Sequence, residues 1–301
     1  MHPHSTEEED NMSTTSGFEE PNDEEYARRV ESYWRQVYES DCFDIEGVRA
    51  PPCMEMNGLI TFNCLSFGYP NRPLVNRYAS LGLHRYNMKE GTNFELDCLI
   101  KFNKLCIGAS SYWITLAARD TVAHSPMQTF QVQVDEKRAR LLDLMCSIAR
   151  VKGETTTTAP FSSHNDCVVD GRLPDWPVDA FDGSQRFYLA EGSELLYTHW
   201  IHLYLELAKD LSKLKIVKVA IETTEEEPLK AKNSILYIAF KGLATGGIGE
   251  HVERKAIIKS GIGEHTGFLY LNGNLCRGEE ELTPMSVVER CIQYRDRLLN
   301  V

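Results

Sequence analysis

The fold is decided by the stretch Tyr78-Ala-Ser-Leu-Gly-Leu-His-Arg-Tyr-Asn87 and by the two alternating segments that follow it, residues 94–102 and 110–118. The stretch predicts a helix, because its apolar residues recur at helical intervals and Gly91 is a typical stop. The two later segments alternate apolar and polar residues, which is typical of half-buried antiparallel strands. We therefore expect one helix that leads into a β-hairpin, with the hairpin connection at residues 104–108.

The same order, a helix followed by strands, occurs again further along the chain. A second apolar stripe at helical spacing follows Ser193, a residue type that can cap a helix. Its members are Leu196, Trp200, Leu203, Leu207 and Leu211. Four strand-like segments come next, at residues 217–221, 235–240, 252–259 and 268–271. We interpret the two blocks as an internal duplication in which each helix covers an antiparallel sheet.

Shorter elements flank and separate the two blocks. Residues 26–41 predict an amphipathic helix, residues 59–62 a short strand, and residues 129–134 a third strand of the first sheet. A pair typical of helix starts, Thr283-Pro284, predicts a C-terminal helix. The predicted organisation is a disordered acidic tail at 1–25, a first domain at 26–152, a Thr- and Pro-containing linker at 153–183, and a second domain with the C-terminal helix at 184–301.

Charge is distributed unevenly along the 301 residues. The formal net charge is −12, and nine of the 44 acidic residues lie in residues 1–25, which contain no Lys or Arg. Such a segment has too little apolar surface to offset the entropy of ordering. The rest of the chain is nearly neutral, so we do not expect it to bind nucleic acid through the phosphate backbone.

Targeting and cysteine patterns bear on the compartment. No apolar stretch of 18 residues predicts a membrane-spanning helix, and the N-terminal residues show no secretory signal pattern. Nine cysteines occur without a Cys-x-x-Cys pair, which is typical of reduced thiols in a protein core. A cytoplasmic or nuclear location is therefore expected, with no membrane partner.

The helix and hairpin resemble those of the plant cystatins. Within residues 78–87, Ala79 and Asn87 match the cystatin helix signature, while Gly82 replaces an alanine. Residues 112–120 are similar to the strand after the first cystatin hairpin. This resemblance covers about 72–136 and implies a helix packed on an antiparallel sheet.

The whole chain resembles still more closely an uncharacterised plant family of unknown function with a cystatin-like fold. The similar motifs are Tyr33-Trp-Arg-Gln-Val37, Leu83-His-Arg-Tyr-Asn87, Gly91-Thr-Asn93, Leu173-Pro-Asp-Trp-Pro177, Leu205-Glu-Leu-Ala-Lys209 and Lys215-Ile-Val-Lys-Val-Ala-Ile-Glu222. Together with the patterns above, the resemblance implies an α+β fold of two cystatin-like units. It implies no activity.

The hairpin connection is the predicted contact site for a protein partner. Its residues are Lys104, Leu105, Cys106, Ile107 and Gly108, and they correspond to the Gln-Val-Val-Ala-Gly loop of inhibitory cystatins. Lys104 replaces the glutamine, and no Pro-Trp loop follows at the family's distance. Apolar wedge side chains carry most of an inhibitor interface, so tight protease inhibition is not the favoured prediction.

Other chemistry-bearing patterns are weaker. His199, His202 and Glu206 share one face of the second helix and could hold a metal, but no fourth ligand accompanies them. The glycine-rich segments 242–249 and 261–263 lie between strands, so they predict hairpin turns rather than a phosphate loop. We predict no catalytic residue, metal or cofactor.

The function predicted from sequence is non-enzymatic interaction with an unknown protein partner. A cystatin-type cysteine-protease inhibitor is the alternative, followed by a small-molecule-binding or enzymatic α+β domain, which needs a pocket with convergent polar groups. The sequence does not indicate an oligomeric state.

Overall fold

The computed structural model describes residues 23–276 apart from 53, 55–57, 66–67, 108, 123–125, 140, 156–171, 197, 209–211 and 244–252. The helices in this part are α1 (Asp23–Glu39), α2 (Arg72–Glu90), α3 (Gly192–Leu195) and α4 (His199–Ala208), with a 3₁₀ helix at Pro228–Lys230. The strands are β1 (Ile60–Asn63), β2 (Phe94–Ile107), β3 (Ala109–Asp120), β4 (Gln128–Glu136), β5 (Leu142–Val151), β6 (Tyr188–Ala190), β7 (Ser212–Glu222), β8 (Ser234–Leu243), β9 (Arg254–Ile262) and β10 (Leu269–Cys276).

Two predicted segments fall at the ends of the chain. Most of the acidic tail, residues 1–22, and the predicted C-terminal helix lie outside the described residues. Asp23, Glu24 and Glu25, which the tail prediction included, form the first turn of α1. Carboxylates are favourable there because the N-terminus of a helix carries partial positive charge.

All ten strands form a single antiparallel sheet in the order β1-β2-β3-β4-β5-β10-β9-β8-β7-β6. The first unit is α2 followed by the meander β2–β5, and the second is α4 followed by the meander β7–β10. Their last strands pair with each other, Cys146 of β5 opposite Leu269 of β10. The predicted combination of helices with antiparallel sheet is confirmed, but the two units share one sheet. The division into two domains stays a prediction.

Helix α2 ends where its sequence predicts. Pro73 lies in its first turn, and Gly91 ends it with a left-handed φ of 67° while its N–H donates to the Asn87 carbonyl at 2.8 Å. The helix lies very close to the sheet at Gly82, where an added Cβ would come within 2.2 Å of Val132 Cγ1. This contact is the physical reason for glycine at a position where the cystatin signature has alanine.

The structure corrects two details of the predicted elements. The single helix expected after Ser193 is two short helices, α3 and α4. Glu191 and Glu194 form the capping box of α3. The Thr198 hydroxyl donates a hydrogen bond to the Glu194 carbonyl, which would accept a backbone N–H if the helix continued. Strand β5 was not predicted, although Leu142, Leu144, Cys146 and Ile148 alternate along it and are buried.

Both faces of the sheet are covered. Helices α2 and α4 lie side by side on one face, above a continuous apolar core that runs through both units. On the opposite face, α1 and residues 40–52, which we call the N-terminal cap, cover the first unit through Tyr33, Val37 and Phe43. Trp176, Ala180 and Phe187 cover the second unit there, so residues 172–183 of the predicted linker pack against the sheet.

None of the described helices is both long and apolar enough to cross a membrane.

Candidate functional site

The predicted contact segment is mostly strand. Residues 104–107 belong to β2 and pair with β3, Lys104 opposite Tyr112 and Leu105 opposite Ser111. The loop expected at 104–108 is therefore wrong for these four residues, because strand pairing continues as far as Ile107, which lies opposite Ala109. Gly108 and the side chains of Cys106 and Ile107 lie outside the described part. A contact role for this segment stays a prediction.

The side chains of Lys104 and Leu105 are partly buried. Lys104 Nζ lies 5.1 Å from the ring centroid of Tyr112, a cation–π contact. Leu105 packs against the apolar cluster beneath the N-terminal cap. Both side chains therefore have structural contacts within the chain, in addition to any contact that they make with a partner.

The three residues weighed as metal ligands lie on α4, but Glu206 is engaged elsewhere. Its Oε2 accepts a hydrogen bond from Arg77 Nε of α2 at 3.4 Å. Burial lowers the pKa of His202, with Glu206 raising it and His199 lowering it in smaller measure. Among the described residues, no group of three or more His, Cys, Asp and Glu side chains is arranged to hold a metal ion.

A cavity of about 360 Å³ opens where the C-terminal end of α2 meets α4, β9 and the 3₁₀ helix. This volume lies within the range typical of small-molecule sites. Residues from both units line it, among them His84, Met88, Trp200, Tyr204, Leu229 and Ser260. We call it the inter-unit cavity.

Asn87 shapes one wall of the inter-unit cavity. Its Nδ2 donates to the Phe94 carbonyl at 2.9 Å, and its Oδ1 accepts from the Phe94 N–H and the Thr92 hydroxyl, each at 2.9 Å. These bonds fix the turn that connects α2 to β2 around Gly91. The motif residue Asn87 thus holds the cavity wall at 91–93 in place.

His84 lies at the centre of a cluster of aromatic rings in the cavity wall. Its imidazole stacks on Trp200 with ring centroids 5.7 Å apart and an interplanar angle of 10°. Tyr204 meets the imidazole edge-on at 5.6 Å. The residue as a whole is half-buried, but its Nε2 is shielded from solvent and has no hydrogen-bond partner among the described residues.

Burial keeps His84 uncharged. It lowers the pKa of the imidazole from 6.5 to about 4, so the ring is neutral at pH 7. A buried polar atom without a partner costs about 1–3 kcal/mol. The cluster therefore retains an unfavourable group at the wall of a cavity, which is the arrangement expected where a ligand supplies the missing hydrogen bond.

The floor of the inter-unit cavity is also neutral. Tyr204 is fully buried and its hydroxyl lies 3.3 Å from Ser260 Oγ. Burial raises the pKa of Tyr204, and the hydrogen bond with Ser260 lowers it by less. Among the described lining residues only Lys230 is charged at pH 7, and its ammonium pairs with Glu227 at 2.8 Å at the exposed rim. The described lining residues therefore offer aromatic rings and neutral hydrogen-bonding groups.

Sequence reasoning missed this site. Trp200 was interpreted as a core residue of the second helix, and His84 was noted only within the motif at 83–87. Their contact follows from the packing of α2 against α4, and these helices are separated by more than a hundred residues. No local spacing signals such a contact.

The chain is similar to several known proteins. A family model described as Protein MS5 matches residues 173–271. The putative UPF0725 protein At1g28500 of Arabidopsis thaliana is 45% identical, over 85% of this chain and 89% of the relative, and the UPF0725 protein At1g02770 of the same plant is 44% identical over 90% of each. The crystal structure of MS5 from Brassica napus is similar with a TM-score of 0.54 and 30% identity, covering 68% of this chain and 99% of that one.

Proposed function

Since the chain belongs to the plant family of UPF0725 and MS5 proteins, we propose that it is a non-enzymatic binding protein that holds a small molecule in the inter-unit cavity. The observation that carries the proposal is the unpartnered, shielded Nε2 of His84 in a wall of aromatic rings. The neutral surroundings support binding rather than catalysis, because an imidazole with a pKa of about 4 is a weak base at pH 7.

Retention of a small molecule by the purified protein tests this function. The protein is incubated with a plant metabolite extract, desalted and analysed by native mass spectrometry. We expect a bound molecule that is released with its mass unchanged, as non-enzymatic binding requires. Absence of any retained molecule, or release of a chemically altered one, contradicts the proposal.

A matched pair of variants locates the binding. Met88→Trp enlarges a half-buried side chain that lines the cavity, whereas Lys89→Trp adds the same ring at the next, exposed position of α2. We expect Met88→Trp to abolish retention and Lys89→Trp to preserve it. Equal retention by both variants places the bound molecule elsewhere.

Interaction with a protein partner is the second candidate, and the open edge of the sheet favours it. Strand β1 is the terminal strand and pairs only with β2 among the described strands, and Ile60 on it is 38% exposed. An extended peptide can add to such an edge through main-chain hydrogen bonds. Replacing Thr61 with proline is expected to weaken capture of a partner that binds in this way, while unchanged capture excludes this edge.

The finer cystatin-like interpretation is retained as part of the proposal. We propose that each helix-and-meander unit is cystatin-like, and the shared order of one helix followed by four antiparallel strands supports this. Protease inhibition is not part of it, since residues 104–107 pair within the sheet. Full papain activity in the presence of tens of micromolar protein is the expected result, and sub-micromolar inhibition contradicts it.

We also propose a cytosolic or nuclear location. The thiols of Cys42, Cys64, Cys98, Cys146 and Cys276 are free, which is typical of a reducing compartment. A fluorescent fusion of the full chain is expected in the cytosol or nucleus, and an exclusively secretory pattern contradicts this.

A further inference from the structure

The walls of the inter-unit cavity indicate the shape of its ligand. Trp200 and Tyr204 are among the lining residues and bring aromatic rings to the wall, and Met88, Leu229 and Ala231 add apolar surface. Aromatic rings pair favourably with other flat rings in offset-stacked or edge-on geometry. A cavity of about 360 Å³ accommodates a molecule of two fused rings. The geometry therefore favours a flat aromatic ligand.

The charge of the walls indicates the charge of the ligand. His84 is neutral and the cation of Lys230 is already paired with Glu227. A charged ligand would lose its hydration without gaining an opposite charge inside the cavity, which is unfavourable. A neutral molecule carries no such penalty, so the electrostatics select against anions and cations.

The remaining requirement is a partner for His84 Nε2. In a neutral imidazole this atom is a donor or an acceptor, depending on which nitrogen carries the proton. A hydroxyl group satisfies both cases, since it donates one hydrogen bond and accepts others. Since Nε2 is shielded from solvent, a ligand reaches it only after a side-chain movement, and the half-buried Trp200 is the cavity-lining ring that stacks on the imidazole.

We infer that the inter-unit cavity binds a neutral, flat aromatic molecule with a hydroxyl group, a phenol-class ligand, whose hydroxyl bonds to His84 Nε2. This inference rests on the proposed function, because it names the ligand of the same cavity. Trp200 moves to admit the ligand and then stacks on it. When the ligand binds, its hydroxyl gives His84 Nε2 a hydrogen-bond partner.

Three two-ring probes separate shape, charge and hydrogen bonding. The probes are 2-naphthol, naphthalene and 2-naphthoate, titrated at pH 7 and followed by calorimetry and by the NMR shift of the Trp200 indole N–H. We expect 2-naphthol to bind about three- to tenfold more tightly than naphthalene, the factor that one net hydrogen bond supplies. We expect 2-naphthoate to bind most weakly, and the Trp200 signal to shift with 2-naphthol.

Variants assign the preference to His84. His84→Leu is expected to bring the ratio of naphthalene to naphthol dissociation constants to about one, while His265→Leu, at an exposed histidine outside the cavity, leaves the ratio unchanged. If His84→Leu does not fold, the probe series on the unchanged protein still decides the matter. A shift of the Trp200 indole N–H signal then shows that the probe binds next to Trp200.

The outcomes distinguish the ligand class from the function. If no probe binds and an extract leaves no retained molecule, the binding function itself fails. If naphthalene and 2-naphthol bind equally, or 2-naphthoate binds most tightly, the cavity binds ligands but the phenol class is wrong. Tighter naphthol binding that His84→Leu leaves intact also overturns the inference.

Discussion

The two faces of the first unit's sheet bury different sets of side chains. Beneath α2 the sheet presents apolar side chains, and Leu116, Phe130 and Val132 are fully buried there. Beneath the N-terminal cap it presents Trp113 and Ile148 together with seven buried polar side chains. The polar ones are Asn103, Thr115, Gln131, Gln133, Asp135, Ser147 and Arg150. The same four strands thus serve two different interiors, because alternate residues point to opposite faces.

Unpartnered atoms are concentrated under the cap. Six buried side-chain polar atoms of the described residues have no hydrogen-bond partner, and five of them lie on this face. The five are Asn103 Oδ1, Trp113 Nε1, Thr115 Oγ1, Gln133 Oε1 and Ser147 Oγ. The sixth, His84 Nε2, is the exception on the helix face. Each such atom lowers stability, so unsatisfied hydrogen bonding costs the cap interface more than it costs the helix interface.

Directional bonds hold the cap in addition to the packing of its apolar cluster. Asn103 Nδ2 donates to the carbonyls of Cys42 and Phe43 at 2.6 and 2.9 Å, and Arg150 Nη2 donates to Asp41 at 2.8 Å. Asp41 and Cys42 both have left-handed backbone angles, with φ of 49° and 66°. That conformation costs about 1–2 kcal/mol per residue. The comparison teaches that the stability of the helix face depends mainly on the space between α2 and the sheet. The stability of the cap face depends mainly on how many of its polar atoms are hydrogen-bonded.

The largest effect is expected where volume is limiting. Gly82→Ala places a methyl group against Val132, and we expect a loss of about 3 kcal/mol in the free energy of unfolding. Chemical denaturation measures it. Gly192→Ala is the control, because nothing lies within 4 Å of its added Cβ. A loss equal to that of the control contradicts the close approach of α2 to the sheet.

Lowering the pH tests His84, whose Nε2 is the unpartnered atom on the helix face. The folded pKa of His84, about 4, lies below its unfolded value of 6.5, so the unfolded state binds more protons between these values. Stability is therefore expected to fall by roughly 2–3 kcal/mol as the pH drops from 6.5 to 4, at most about 1.4 kcal/mol per pH unit. Subtracting the profile of His84→Leu isolates this histidine, and two parallel profiles contradict its buried neutral state.

Removing a directional bond tests the cap. Asn103→Ala is expected to cost about 2 kcal/mol, because the carbonyls of Cys42 and Phe43 lose their donor. Hydrogen exchange of α1 amides is expected to quicken more than that of α2 amides. Asn274→Ala, at an exposed position of β10, serves as the control. Equal acceleration in both helices indicates that the cap does not open separately.

The smallest expected effect is a gain in stability. Thr115→Val replaces an unpartnered buried hydroxyl with a methyl group of similar shape, and we expect about 1 kcal/mol of added stability. Thr129→Val, at a half-buried position of β4, is the matched comparison. Thermal unfolding monitored by circular dichroism measures both. A destabilised Thr115→Val means that its hydroxyl has a partner.

Local patterns predicted the elements whose signals are local. The apolar stripe and Gly91 bound α2, and the alternation predicted for residues 110–118 places Tyr112 on the helix face and Trp113 on the cap face. Strand β5 was missed because its Leu, Met, Ala and Arg residues also favour helices.

Features that depend on distant contacts were beyond sequence reasoning. The single sheet follows from pairing between Cys146 and Leu269, which no local pattern encodes. The inter-unit cavity likewise needs His84 and Trp200 to meet through helix packing. The loop expected at 104–108 was wrong for residues 104–107 because strand pairing can extend beyond the end of an alternating apolar pattern.

The join between β5 and β10 has a consequence for synthesis of the chain on the ribosome. Translation at ~5–20 residues per second needs roughly 6–24 s to pass from Val151, where β5 ends, to Leu269, where β10 begins. During that interval the nascent first unit can fold, but β5 has an edge without its neighbour. Unpaired edges invite association with other chains, so a nascent-chain chaperone that shields β5 would raise the yield of correctly folded protein.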